Sequence, residues 1–219
     1  MSELDQFKNS IAAAGQLVDM YVELRRRRGL GQRGRLDAAN LDLLWLPRSA
    51  VVACLSALDA YIHGVVFEQL PVALQADPIP EALCDRMAEA LQIKNGKQFR
   101  KAMPILLAPE PVFAMCTRLQ PSIESQAYQA PWKIEGAYAL IGHESIFDEV
   151  ARIWPGPGTT TLKIKDRLER YFRRRNQIAH EGDMEYGGTT RHMTPKYARD
   201  CQGFTECLVV RLNRVVYGA

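Results

Sequence analysis

The chain is poor in the features that organise small secreted domains and metal sites. Its five cysteines, Cys54, Cys84, Cys116, Cys201 and Cys207, form neither a C-x-x-C pair nor a cysteine-histidine cluster. That spacing argues against a disulfide framework and against a structural zinc site, and the cysteines read as reduced core residues of a cytoplasmic protein. No stretch approaches the roughly 18 consecutive apolar residues needed to cross a bilayer, so no membrane association is expected. The start, Met1-Ser2-Glu3-Leu4-Asp5-Gln6, lacks the basic opening and apolar run of a secretory signal. No nucleotide-binding loop occurs, and the residues imply no cofactor and no metal. There are also no internal repeats, no low-complexity tracts and no alternating apolar runs that would make a strand.

What is present is helical periodicity over 219 residues, 47% of them hydrophobic and 24% charged. Those proportions suffice for one domain with a substantial core. The expected fold is all-α, a single-domain bundle of about six to eight helices. The first helix carries Leu4, Phe7, Ile11, Ala14, Leu17, Val18 and Tyr21 on one face and ends near Gly29-Leu30-Gly31. Asp37 is placed to cap a second helical region, which Pro47 kinks or restarts. It continues through Val51, Val52, Leu55, Leu58, Ile62, Val65, Val66 and Leu70 until Pro71 stops it.

The middle third, from Pro78 to about Pro131, is broken by Pro80, Pro104, Pro109, Pro111 and Pro121, which predicts short helices joined by turns. A further helix is predicted from Trp132 to Trp154, ended by Pro155-Gly156-Pro157-Gly158. Thr159, Thr160 or Thr161 then caps a basic helix that Gly182 terminates. A glycine-rich connection of 13 residues leads to Thr194-Pro195, a helix start. The last helix packs through Tyr197, Cys201, Phe204, Leu208, Leu212 and Val215.

The net charge of +3 is too small to diagnose a nucleic-acid partner, but its distribution is uneven. From Lys163 to Arg175 seven cations face only Asp166 and Glu169, a local surplus of +5, and a second cluster runs Arg25-Arg26-Arg27-Arg28, then Arg33 and Arg35. Within the first cluster Arg175 stands on the apolar stripe of Ile164, Leu168, Tyr171, Phe172 and Ile178 or Ala179. A guanidinium is charged at any relevant pH and costly to desolvate alone. On such a stripe it calls for an acidic partner, a wet cleft or a bound anion. Arg173 and Arg174 lie off the stripe as surface candidates.

Asp59 is the acidic counterpart, four residues after Leu55 and three before Ile62 on the second helix. Two amphipathic helices with one opposite charge each on the buried face are most simply reconciled if Asp59 and Arg175 meet. Such a pair is either a structural salt bridge or part of a site. His180 bears on that choice. On a helix Asn176 and His180 share a face, whereas Arg175 and His180 stand about 140° apart. Relaxation of the helix end before Gly182, or completion of the site across a symmetric dimer, would bring them to one groove. His63, one turn from Asp59, and His143 read first as satisfied structural histidines. Arg191 and His192 fall in the glycine-rich connection, expected to be a disordered loop or a flap over a substrate.

The run Arg173-Arg174-Arg175-Asn176-Gln177-Ile178-Ala179-His180-Glu181-Gly182-Asp183 resembles the Rx4-6H motif of the HEPN superfamily, whose members are helical domains and often ribonucleases. Together with Ala57-Leu58-Asp59-Ala60-Tyr61-Ile62 it is similar to the RiboL-PSP-type branch. The resemblance covers two helices in order and about half the chain, and leaves residues 71–131 as a variable insert of short helices. It implies endoribonuclease chemistry without a metal, in which the ribose 2′-hydroxyl attacks the adjacent phosphate and leaves a 2′,3′-cyclic phosphate. His180 would move the proton and Arg175 would hold the phosphate, with Asn176 orienting one of them and Asp59 fixing the guanidinium. Arg170, Arg173 and Arg174 would attract the RNA backbone.

The same resemblance implies a homodimer with a composite site, acting as a toxin or antiviral defence effector with an antitoxin or defence partner. The alternative is a catalytically silent module that binds RNA or protein. Where some HEPN toxins carry a tyrosine two places after the histidine, a target of modification by a partner nucleotidyltransferase, this chain has Gly182.

Overall fold

The computed structural model describes residues 1–31, 34–156, 158–185 and 187–218. Arg33 of the second basic cluster and Pro157 of the proline-glycine breaker lie outside the described residues. The described chain is all-helical, as the periodicity predicts, with nine α-helices rather than six to eight.

Three long helices make the centre. Helix α1 (Glu3–Arg27) starts at a capping box in which the Ser2 hydroxyl accepts from the Asp5 amide and the Asp5 carboxylate faces the Ser2 amide. Its buried face, Phe7, Ile11, Ala14, Val18 and Tyr21, packs on helix α2 (Trp45–Ala73) and on helix α9 (Pro195–Tyr217). Between α1 and α2 the chain makes a 3₁₀ turn, Ala38–Leu44, with Asp37 before it. Asp37 does not cap α2. Its carboxylate accepts from the Asn40 side chain at 2.7 Å, and α2 begins at Trp45 with Pro47 in its first turn.

Pro71 does not stop α2, which runs two residues further. A proline this close to the end leaves only the Phe67 carbonyl without its helical donor, a small cost where the ladder is about to finish. The segment from Ala38 to Ala73 is long and apolar enough by composition to span a bilayer, which the count of consecutive apolar residues did not reveal, and more than half of its most apolar window is buried in this fold. Leu55, Leu58, Ile62, Val65, Val66 and Leu70 are all sealed in the core, the role expected of them.

The predicted short helices of the middle third are α3 (Glu81–Leu91), α4 (Gly96–Leu106) and α5 (Pro111–Glu124). The single helix predicted over Trp132 to Trp154 is two, α6 (Pro131–Ala139) and α7 (Ile146–Arg152). The break falls at Gly142, whose φ of +90° is closed to a helix and favours glycine. Ile134, Tyr138, Ile146, Phe147 and Val150 on both sides are buried, so the apolar pattern continues through the turn and hides it.

Helix α8 (Thr161–Glu181) is capped by the Thr160 hydroxyl, which accepts from the Lys163 amide at 3.3 Å. It ends at Gly182 in the left-handed conformation, φ +60°. Helix α9 starts where Thr194-Pro195 predicts, with the Thr194 hydroxyl accepting from the Tyr197 amide. Cys201, Phe204, Leu208 and Leu212 are buried, while Tyr197 and Val215 pack at the margin of the core. All five cysteines are free, but the expected core placement holds for Cys54 and Cys201 alone of the five: Cys116 and Cys207 are half-buried and Cys84 is exposed.

Candidate functional site

Along α8, Ile164, Leu168, Tyr171 and Ile178 face the core, and of the alternatives Ile178 and Ala179 it is Ile178 that is buried. Arg175 sits on this stripe and is half-buried. Its Nη1 donates to Asn176 Oδ1 at 3.1 Å, and its Nε is sealed from solvent without a hydrogen-bond partner. A buried donor left unpaired costs about 1–3 kcal/mol, more on a charged group, and because this Nε–H is sealed, the part of Arg175 open to a ligand is the rest of its half-buried side chain. His180 is exposed near the end of the same helix. The backbone stays α-helical through Glu181, so the helix does not relax there and the angle of about 140° between Arg175 and His180 holds.

The expected pairing of Asp59 with Arg175 is not formed among the described residues. Asp59 Oδ1 accepts from the Tyr128 amide at 2.5 Å and stands 3.7 Å from His63 Nδ1. Its carboxylate therefore ties α2 to the segment before α6, and a role in fixing the Arg175 guanidinium is removed. His63 is structural as expected. Its ring nitrogens lie 3.0 and 3.2 Å from the carbonyl oxygens of Asp59 and Ile123, and its ring is 4.7 Å from that of Tyr128. His143 has a partner that the sequence did not suggest, Glu149 Oε2 at 3.0 Å.

The carboxylate that meets an α8 arginine from beyond the end of that helix is Asp183. It is fully buried, and Arg174 Nη1 lies 2.8 Å from its Oδ1 while Arg48 Nε donates to its Oδ2 at 2.5 Å. Arg48, on α2, is only 1% exposed and also donates to the Arg191 carbonyl at 2.8 Å. Arg174 donates further to the His192 carbonyl at 2.9 Å. It is therefore not the surface residue expected but a half-buried one, 12% exposed in its side chain, with donors committed to Asp183 and His192. Burial lowers the affinity of its guanidinium for the proton, and the carboxylate of Asp183 opposes that.

This network also fixes the glycine-rich connection. Asp183 takes a left-handed φ of +58°, its amide donates to the Gln177 carbonyl, and its carbonyl accepts from the Arg191 amide at 2.8 Å. Met184 pairs with Thr190 across an isolated antiparallel bridge, and Arg191 reaches Glu181 at 2.8 Å. The described part of the connection, residues 182–185 and 187–194, is thus tied to α2 and α8, against the expectation of a disordered loop. Arg48 was legible in principle. It stands three residues before Val51 and seven before Leu55, on the same apolar stripe logic that singles out Arg175.

On the opposite face of α8, Arg170 and Arg173 are exposed as expected. Arg173 pairs with Glu169 at 2.8 Å, one turn back, while Arg170 makes no hydrogen bond or ion pair among the described residues. Both line a cleft of about 680 Å³ bounded by Trp154 and Phe204.

Neither a family model, nor a curated protein, nor a solved structure matches the chain.

Proposed function

We propose that the protein is an endoribonuclease of HEPN type in which Arg175, Asn176 and His180 carry the chemistry. The observation that supports this most is the half-buried Arg175, whose guanidinium donates among the described residues to Asn176, on a helix whose end presents His180 to solvent. Arginine gives two parallel donors to a phosphodiester and stabilises charge growing on its oxygens. Histidine, with an ordinary pKa near 6.5, is suited to take the 2′-hydroxyl proton or to protonate the leaving 5′-oxygen, worth about 10²–10⁴-fold when well placed. The 2′-hydroxyl requirement makes DNA inert.

Because Arg175 and His180 point to different sides of one helix, a single scissile phosphate is reached most simply if a second copy of the chain supplies one of the two groups. The cytoplasmic toxin or defence role, and an antitoxin or defence partner, rest on the family resemblance alone. A silent binding module is the alternative, and the intact pair of ionisable groups favours the enzyme.

Arg175→Ala and His180→Ala each abolish cleavage of single-stranded RNA while circular dichroism keeps its helical signal. Mixed in equal amounts after subunit exchange, the two variants regain roughly a quarter of the wild-type activity, since each mixed dimer holds one complete composite site. Activity retained by either variant alone contradicts the assignment. Absence of any recovery on mixing contradicts the composite site.

A further inference from the structure

The cleft on the solvent face of α8 has a chemistry that the Arg175 site does not use. Its floor is aromatic. Phe204, from α9, is buried with its ring 5.8 Å from that of Trp154, and the Arg167 guanidinium lies over it at 4.9 Å from the ring centre. A planar cation laid on an aromatic ring offers its other face for stacking, and bases stack on such guanidinium planes as on aromatic rings. The walls are charged. Lys163, Arg167, Arg170 and Arg173 face Asp166 and Glu169, leaving a surplus of two positive charges.

The four cations are not equally free to meet a ligand. Lys163 donates to the Gly158 carbonyl at 2.7 Å, Arg167 makes long contacts to the Asp200 carbonyl and Tyr171 hydroxyl at 3.4 Å, and Arg173 is held by Glu169. Among the described residues Arg170 is the one of the four with no hydrogen bond or ion pair, and it lies between Arg167 and Arg173 on the helix. The volume of about 680 Å³ falls in the range of about 300–1,000 Å³ common for small-ligand clefts. The charge surplus matches a phosphomonoester, which carries about −1.5 to −2 at neutral pH.

The geometry points to a nucleotide-unit site in this cleft, with the planar base on the Arg167–Phe204 stack beside Trp154 and the phosphate on Arg170. Two sources would supply that chemistry, a free mononucleotide or one nucleotide of an RNA strand. Only the second rests on the ribonuclease reading. Arg170 precedes His180 by ten residues, about 15 Å of helix, so a strand seated here would run along α8 toward the histidine.

Trp154 lines the cleft and makes the test direct. Full-length protein carrying Trp45→Phe and Trp132→Phe keeps Trp154 as its one indole, and is titrated with adenosine 5′-monophosphate, with inorganic phosphate and with an uncleavable 2′-O-methyl RNA decamer. A saturable change in Trp154 emission is expected, weakening as salt rises and weakened at least about tenfold by Arg170→Glu. Saturation by the mononucleotide identifies a free-nucleotide site, and saturation by the decamer alone identifies a strand subsite. The inference is overturned if neither ligand alters Trp154 emission at millimolar concentration, if Arg170→Glu binds as tightly, or if inorganic phosphate binds as well as the nucleotide. RNA cleavage is assayed separately with His180→Ala, so an empty cleft in an active nuclease and a filled cleft in an inactive protein are distinct results.

Discussion

At the scale of residues the chain makes two different uses of arginines that are wholly or partly buried. Arg48 and Arg174 converge on one sealed carboxylate, Asp183, and their remaining donors go to the Arg191 and His192 carbonyls. Arg175 is given only Asn176 and an orphaned Nε. The first arrangement is architecture, since every strong partner comes from the fold itself. The second leaves a donor unspent. Breaking a buried ion pair from one side strands the other charge in low dielectric, which costs about 3–5 kcal/mol. Asp183→Asn, which tolerates the left-handed backbone, should therefore lower stability by about that amount in denaturant unfolding, and adding Arg48→Met should recover part of the loss. A near-neutral Asp183→Asn would show that the network is wet and unimportant.

At the scale of elements the caps fix where the functional helix begins and ends. Thr160 is the one threonine of three whose hydroxyl caps α8, so Thr160→Ala should cost about 1 kcal/mol, and Thr159→Ala much less. Equal losses in the two variants, measured by thermal unfolding, would contradict that assignment.

The threonine-capped starts of α8 and α9, the glycine end of α8 and the core stripes of α2 and α9 are legible in the sequence because each is a local signal. Two breaks are not legible, for a physical reason: Pro71 reads as a stop although a proline in the last turn removes a single bond, and the turn at Gly142 is hidden because apolar residues continue on both sides of it. Arg175, Asn176 and His180 are the candidates that spacing singles out, and Arg175 lies half-buried on its apolar stripe. The partner of the α8 arginines was not legible. Asp59 had the right periodicity, but the carboxylate that arrives is Asp183, brought back by the left-handed turn at Gly182 and Asp183, a tertiary event with no helical period.

At the scale of the molecule, the core formed by α1, α2, α8 and α9 holds several tyrosines in their neutral form. Burial pushes the hydroxyls of Tyr61 and Tyr138 well above the ordinary value, and that of Tyr197 up to about 12. An unfolded tyrosine ionises near pH 10. Because the folded values are raised, the associated stability is fully present below about pH 10 and is lost as pH rises through the folded values. The thermal midpoint should hold between pH 7 and 9 and fall between pH 10 and 12. A midpoint flat across that upper interval would contradict the burial of these hydroxyls.

The fold also sets the two faces of α8 to different tasks, an inward face with Arg175 at its edge and an outward basic face that leads toward His180. The central claim is that the arginine and the histidine act together on a ribose-phosphate linkage. The most direct measurement is the mass of the fragments released from a defined single-stranded RNA in the presence of a chelator. Fragments ending in a 2′,3′-cyclic phosphate with 5′-hydroxyl partners, absent with His180→Ala, are the predicted result. RNA left intact at high protein concentration, or the same fragments from His180→Ala, would contradict it.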